Sequence, residues 1–355
     1  MPTHNPFLYL LSRLYDAVTA FRNHRFDSGK KRMTVFEVPT IAVGNLSWGG
    51  TGKTPMIEFL ITLFQERYRL AVLSRGYGRK TQGFLLADQT TDAKKIGDEP
   101  FQIYTKFGKK VSVAVGEQRV LAIPELLALR QDTDLILLDD AYQHRYVKAD
   151  FYILLTTFQK PFFEDHVIPL GTLRENRSGA KRADLIVVTK CPLTLNSDQK
   201  NAYKKNIVRY TEGKQVPIVF STLKYGSPYP VSKAAREWTG QVLLVSGIAD
   251  DTVLKKEVEK RYSLQEVITF GDHHRYTSKD LQLMLEKIKK NKDWVVLTTE
   301  KDITKLNVAA FSGFLEEIPI FALPMMMTFD ATDQQFVKEC LQTVVEDKLR
   351  NGEAI

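Results

Sequence analysis

The chain has 355 residues, 43% hydrophobic and 26% charged, a globular composition with length for roughly two or three domains. Its two cysteines, Cys191 and Cys340, have neither metal-ligand nor disulfide-framework spacing and read as free thiols in a reducing compartment. No run of about 20 apolar residues predicts a span, and no RNA-binding signature supports the net charge of +8, which suits an anionic surface or a phosphorylated substrate better than nucleic acid.

The first element is "NPFLYLLSRLYDAVTAFRNHRFDSGKKR". It sets Phe7, Leu11, Leu14, Val18 and Phe21 at helical spacing, with Arg13, Asp16, Thr19 and Asn23 off that stripe. Arg22, Arg25, Lys30, Lys31 and Arg32 follow as a basic cluster. Arg13 and Asp16 interrupt the apolar run, which excludes a cleavable signal. Two readings stand for residues 1–32: a helix whose stripe packs on the domain core, or an amphipathic helix lying in an anionic membrane surface.

From residue 33 onward, apolar β-rich runs alternate with helical patterns. The runs are "TIAVG" (40–44), "LAVLS" (70–74), "VSVAV" (111–115), "LILLD" (135–139), "FYILL" (151–155) and "LIVVT" (185–189), then "VLLVS" (242–246), "WVVLT" (294–298) and "IPIFAL" (318–323). Helices are predicted over 54–66, 99–107, 117–130, 278–290 and 332–349. Continuous apolar strands separated by helices predict an α/β fold with a mostly parallel sheet covered on both faces. The stretch 221–240, with two prolines and two glycines, reads as a linker or hairpin. It divides a domain over 33–220 from a second, smaller α/β domain over 241–355.

After the first strand comes "SWGGTGKTP". Gly49, Gly50 and Gly52 let the backbone curl so that successive N–H groups point inward, and with the following helix N-terminus they form a phosphate cradle. Ser47 stands where the simple P-loop pattern has its first glycine, and GGTGKT matches the variant with a doubled glycine. Ser47, Gly49, Gly50, Thr51, Gly52, Lys53 and Thr54 are therefore the expected nucleotide contacts. Lys53 is placed to reach the β- and γ-phosphates of ATP, and Thr54 to offer its hydroxyl to Mg²⁺.

A carboxylate at the end of a buried strand completes such a site. "DLILLDDAYQHR" supplies Asp139 and Asp140 there. Gln143, His144 and Arg145 lie just beyond, where a ligand would sit or where a loop would need bracing. Arg75, Arg79, Arg174 and Arg177 lie in glycine-punctuated loops expected near the strand ends, and arginine matches phosphate geometry in a bidentate way. Asp98, before Glu-Pro, reads on its own as a helix cap.

GGTGKTP, "LSRGYGRK" (73–80), "GDEP" (97–100), "DDAYQHR" (139–145), "PLGTLRE" (169–175), "DHHRY" (272–276) and "LTTEKDITKL" (297–306) occur in that order. Together they resemble the tetraacyldisaccharide 4′-kinase, or lipid A 4′-kinase, family over nearly the whole chain. Ala141 and Tyr142 depart from the glycine and phenylalanine expected of the family. The resemblance implies a P-loop NTPase-like fold whose two α/β domains are joined by a two-stranded linker with the active site between them. It implies transfer of the ATP γ-phosphoryl group to the 4′-hydroxyl of a tetraacylated glucosamine disaccharide 1-phosphate, with Mg²⁺, at the cytoplasmic face of the inner membrane.

By the same resemblance Asp98 is the catalytic aspartate and His273 its partner, with His274 adjacent. Arg174 and Glu175 are the arginine and glutamate of the "LRE" motif. Glu175 joins Thr54, Asp139 and Asp140 among the metal candidates, and Arg75, Arg79, Gln143 and Arg177 are the substrate candidates. An acyl-bearing substrate stays in the bilayer, since each buried CH₂ is worth about 0.8 kcal/mol. That favours the interfacial reading of the first helix, with an anionic membrane surface as partner. A monomer is expected. The rival from another class is a regulatory or chaperone NTPase of the doubled-glycine group, which would not need Asp98 and His273. A vestigial nucleotide site is a further rival, and the intact Lys53, Thr54 and Asp139 argue against it.

Overall fold

The computed structural model describes residues 6–234, 237–248, 251–271, 274–306 and 309–352. In chain order the first unit contains α1 (Pro6–Asp27), β1 (Thr40–Asn45), α2 (Lys53–Phe64), β2 (Leu70–Ser74), β3 (Leu85–Leu86), α3 (Ala93–Ile96) and α4 (Asp98–Phe107). It continues through β4 (Val111–Val115), α5 (Arg119–Leu129), β5 (Leu135–Asp139), β6 (Phe151–Thr157), β7 (Leu185–Thr189), α6 (Ser197–Val208) and β8 (Ile218–Tyr225). The second unit holds β9 (Tyr229–Pro230), β10 (Gln241–Ser246), α7 (Thr252–Arg261), β11 (Ser263–Thr269), α8 (Ser278–Lys290), β12 (Trp294–Thr299), α9 (Glu300–Leu306), α10 (Ser312–Glu317) and β13 (Ile320–Leu323). The chain then runs back through β14 (Met325–Phe329) and α11 (Ala331–Gly352).

Among the described residues, nine strands form one sheet in the order β14-β8-β7-β6-β1-β5-β2-β4-β3, and five form another in the order β11-β10-β12-β13-β9. The first sheet is parallel from β8 to β4 and antiparallel at its two edges. Strands β1, β2, β5 and β7 are buried along their whole length, as expected of parallel strands covered on both faces. The predicted α/β class and its two sheets are therefore present.

The domain boundary needs a correction. The second unit ends before residue 325, not at the end of the chain. Strand β14 pairs antiparallel with β8 from Met325↔Tyr225 to Phe329↔Ser221. Val337, Leu341 and Val345 of α11 are fully buried in the same core as Met56, Ile57 and Leu60 of α2. Each such burial is worth about 1.5–3 kcal/mol. The stretch 221–240 is likewise no free hairpin. Its start is the end of β8, and Tyr229 and Pro230 already pair with β13 in the second sheet. The two strands that carry the chain out and back are β8 and β14.

Helix α1 inverts the usual amphipathic arrangement. Its polar side faces the protein. Ser12 Oγ donates to the Val167 carbonyl at 2.7 Å, Asn176 Nδ2 donates to the Asp16 carboxylate, and Asn23 Nδ2 donates to Glu175 at 2.6 Å. Phe26 alone of its large apolar residues is fully buried, while Phe7, Leu14, Val18 and Phe21 are each more than 60% exposed. The stripe is not a core face. No helix among the described residues is long and apolar enough to cross a membrane.

Candidate functional site

The site forms where β1, β2, β5 and β7 end. Each strand closes its apolar run on a polar residue, namely Asn45, Ser74, Asp139 and Thr189, and these four residues build the floor. Asn45 Nδ2 donates to Thr51 Oγ1 at 2.7 Å. Thr189 Oγ1 donates to the Thr51 carbonyl at 2.8 Å, which ties the glycine loop to the end of β7, two strands away from β1 in the sheet. Gly52 stands at φ 87° and immediately precedes α2, a left-handed conformation open mainly to glycine. Gly44 is required for a different reason. A Cβ there would lie 2.6 Å from the Cβ of Tyr142, so the strand beneath the loop can approach the 139–145 turn only without a side chain.

The loop's outer rim is held by the 165–175 segment. The Trp48 N–H donates to the Thr172 carbonyl, and the Arg174 N–H to the Leu46 carbonyl, both at 2.7 Å. Ser47 bridges to Leu173. These bonds bring Arg174 to the mouth of the loop. Its guanidinium lies 2.9 and 3.0 Å from the two Asp140 carboxylate oxygens, and Lys53 Nζ lies 3.7 Å from the same carboxylate. Three predicted residues thus converge. Thr54 follows Lys53 in the first turn of α2, half-buried.

The adjacent aspartates have different surroundings. Asp139 is 3% exposed. Its Oδ2 accepts from Ser74 Oγ at 2.8 Å, and its Oδ1 is buried with no hydrogen-bond partner. Burial, with Glu99 and Asp140 nearby, pushes its carboxyl up to about 6. Burial also opposes ionisation of Asp140, but Lys53 and Arg174 outweigh it and hold that carboxyl below the usual range.

Behind Asp139 lies Arg119, 1% exposed, whose guanidinium donates to the Asp139 and Gly116 carbonyls. Burial lowers it to about 10. His144 Nε2 accepts from the Arg119 N–H at 3.2 Å. Burial, then Arg119, pulls that imidazole down to about 4, so it is neutral near pH 7. Arg75 is exposed just past β2 and is felt electrostatically by both Arg119 and His144.

Asp98 is the first residue of α4, after Gly97. Its neighbour Glu99 bears on Asp139 and reaches Lys301 of the second unit at 3.7 Å. His273 lies outside the described residues. His274 stacks on Phe270 at 4.2 Å, and its Nε2 lies 3.1 Å from Asp280 Oδ2, so its ring is engaged within its own unit.

Four other candidates are built into the scaffold. Glu175 is 3% exposed. It receives two bonds from Arg182, one from Asn23 and one from Gln143. Its lone pairs are occupied, so in this arrangement it braces α1 rather than meeting a metal. Gln143 Nε2 also donates to the Asn45 carbonyl, which makes it the brace between β1 and Glu175. Arg177 donates from Nε and Nη2 to the Asp165 carbonyl. Arg79, 2% exposed in its side chain, pairs with Glu117 and donates to the Gly83 carbonyl. Asn45, Ser74, Glu99, Arg119 and Thr189 were not singled out from the sequence. A polar residue ending each apolar run was the available signal for three of them.

A glycine loop between a buried strand and a helix, its lysine facing strand-end aspartates, defines a P-loop nucleotide enzyme. The family model described as tetraacyldisaccharide-1-P 4′-kinase (LpxK) matches residues 4–346. The tetraacyldisaccharide 4′-kinase of Flavobacterium psychrophilum is 41% identical, over 97% of this chain and 98% of that one. The Bacteroides fragilis enzyme of the same name is 38% identical, over 98% and 94%. LpxK from Aquifex aeolicus, crystallised in complex with ATP, superposes with a TM-score of 0.73 at 25% identity, covering 95% of this chain and 98% of that one. The chain belongs to the tetraacyldisaccharide-1-P 4′-kinase family. Its function is that of a lipid A 4′-kinase, not of a partner-coupled NTPase.

Proposed function

We propose that the chain transfers the ATP γ-phosphoryl group to the 4′-hydroxyl of its lipid disaccharide with Lys53 and Arg174 gathering the phosphates and Asp98 receiving the hydroxyl proton. The observation that carries this reading is the convergence of Lys53 and Arg174 on Asp140 beside the glycine loop. Two cations share one carboxylate there, and a polyphosphate offers both a stronger partner. Phosphoryl transfer asks little covalent chemistry of a protein, so positioning and charge neutralisation dominate. A carboxylate at the start of α4 accepts the proton as the sugar oxygen attacks.

The residues fit a divalent cation. Asp139 offers a buried, unpartnered oxygen, Thr54 a hydroxyl, and both are hard oxygen ligands of the kind Mg²⁺ takes. When bound, Mg²⁺ neutralises charge on the β- and γ-phosphate oxygens. Asp139 and Thr54 would hold it, while Asp140 keeps Lys53 and Arg174 aimed at the loop. Arg75, exposed beside the strand ends, is the remaining candidate for the acceptor's 1-phosphate.

The outward apolar face of α1 supports peripheral attachment to an anionic membrane, the inner membrane's cytoplasmic face on the family reading, with the chain acting as a monomer. Incubation with ATP, Mg²⁺ and the tetraacyl disaccharide 1-phosphate tests the whole reading. A new phosphate at the 4′ position is expected, and ATP hydrolysis indifferent to the lipid would sink it.

A further inference from the structure

We propose that Lys106 and Glu300 are positioning residues, a link through which the second unit sets the placement of Asp98 on α4. The proposal rests on the reading of Asp98 as proton acceptor. Helix α4 has ten residues, about 15 Å of rigid rod. Asp98 stands at its beginning and Lys106 one residue before its end.

Lys106 joins both units. Its Nζ lies 2.7 Å from Glu58 Oε2 and 3.0 Å from Glu300 Oε2. Glu58 is 6% exposed and lies on α2, the helix that follows the phosphate loop. It also accepts from Gln102 Nε2 at 2.9 Å, one more tie between α4 and α2. Glu300 opens α9 in the second unit and accepts from the Tyr229 hydroxyl at 3.2 Å.

The next residue of α9, Lys301, reaches back to Glu99 near the other end of α4. One turn of the second unit therefore touches α4 at both ends, beside the proposed base and at its tail. Helices α4 and α9 pack together along this seam.

The chemistry of the link separates positioning from folding. Glu300 has only 11% of its side chain exposed, and Lys106 29%, so the pair is partly desolvated and more strongly coupled than a surface pair. Removing the Glu300 charge leaves Lys106 paired with Glu58, and no buried charge is stranded. Removing the Lys106 charge leaves Glu58 and Glu300 facing each other as like charges, which destabilises the protein itself. Glu300→Gln is therefore the informative variant. Lys106→Arg keeps a donor for both carboxylates.

The experiment measures kcat, acceptor KM, ATP affinity and melting temperature for Glu300→Gln, Lys106→Arg, Asp98→Asn and the unaltered protein. For Glu300→Gln, kcat is expected to fall about 10- to 100-fold, the range a small misplacement of a reacting group produces. ATP affinity should stay within about twofold and the melting temperature should hold. Lys106→Arg should keep most of the rate. Wild-type kcat in Glu300→Gln while Asp98→Asn is inactive would overturn the link alone. A fall in Glu300→Gln that tracks lost ATP affinity and melting temperature would also overturn it. Full activity in Asp98→Asn would overturn the reading of Asp98, and with it the proposal.

Discussion

Asp139 and Asp140 share a peptide bond yet sit in opposite electrostatic surroundings. Asp139, ending β5, is buried with an unpartnered oxygen. Asp140 turns at φ 46° into the reach of Lys53 and Arg174. Asp139→Asn is expected to abolish most Mg²⁺-dependent activity, while Asp140→Asn loosens both cations and weakens ATP binding. Mg²⁺ titrations of each variant check the division: Asp139→Asn should shift the metal requirement and Asp140→Asn should not.

Lys53→Ala removes a cation that is 11% exposed in its side chain. Loss of one preorganised charge-stabilising group costs roughly 100- to 1000-fold in kcat. Turnover assays at saturating ATP should find a fall of that size. A variant within a fewfold of wild type would remove the lysine from the chemistry.

Asp98→Asn tests the base. Loss of a positioned proton acceptor costs roughly 100- to 10,000-fold, and ATP affinity should be preserved because Asp98 is not part of the phosphate loop. Equilibrium nucleotide binding measured beside turnover distinguishes a lost base from a lost nucleotide site.

His144 gives the protein an acid-sensitive joint. Its folded-state value near 4 lies below the roughly 6.5 of an unfolded histidine. Between those values the unfolded chain binds the extra proton, so stability falls as pH drops from about 6.5 to about 4 and is complete above that window. His144→Asn should flatten this part of the curve in urea unfolding at pH 4.5 and 7. An unchanged slope would place the acid sensitivity elsewhere.

The outward stripe of α1 is best tested by substitution. Deleting the helix would also strip Glu175 and Asn176 of their partners Asn23 and Asp16. Serines at Phe7, Leu14, Val18 and Phe21 leave those bonds intact, and exposed changes of this kind usually alter stability by less than about 0.5 kcal/mol each. Sedimentation with anionic vesicles should show binding lost while the melting temperature holds. Retained binding would refute the interfacial role.

Much of the site was legible because a P-loop is local: strand, curl, lysine and helix lie within a short segment, and Asp139 announces itself at the end of an apolar run. What escaped was set by tertiary partners. Glu175 looks like a ligand until Arg182, Asn23 and Gln143 fill its lone pairs. Arg177 and Arg79 resemble phosphate clamps, yet backbone carbonyls and Glu117 claim them. The stripe of α1 carried the right period but no information on which side faces the protein.

Helix α6 was missed for a related reason. "SDQKNAYKKNIV" buries only Ile207 and stands on a capping box at Asn196, a signal of termini rather than of periodicity. The domain boundary failed because α11 has an ordinary amphipathic pattern, and nothing in it names the body it packs on.

The return of β14 and α11 has a consequence for how the protein comes to be made. Strand β14 is an edge of the nucleotide-binding sheet, and Val337, Leu341 and Val345 seal the core against which the loop-bearing helix rests. During synthesis the ribosome delivers these residues after the entire inserted unit. The emerging chain must hold an unsealed apolar face until then, so the second unit has time to fold first, and the nucleotide-binding core is completed only after that unit has been made.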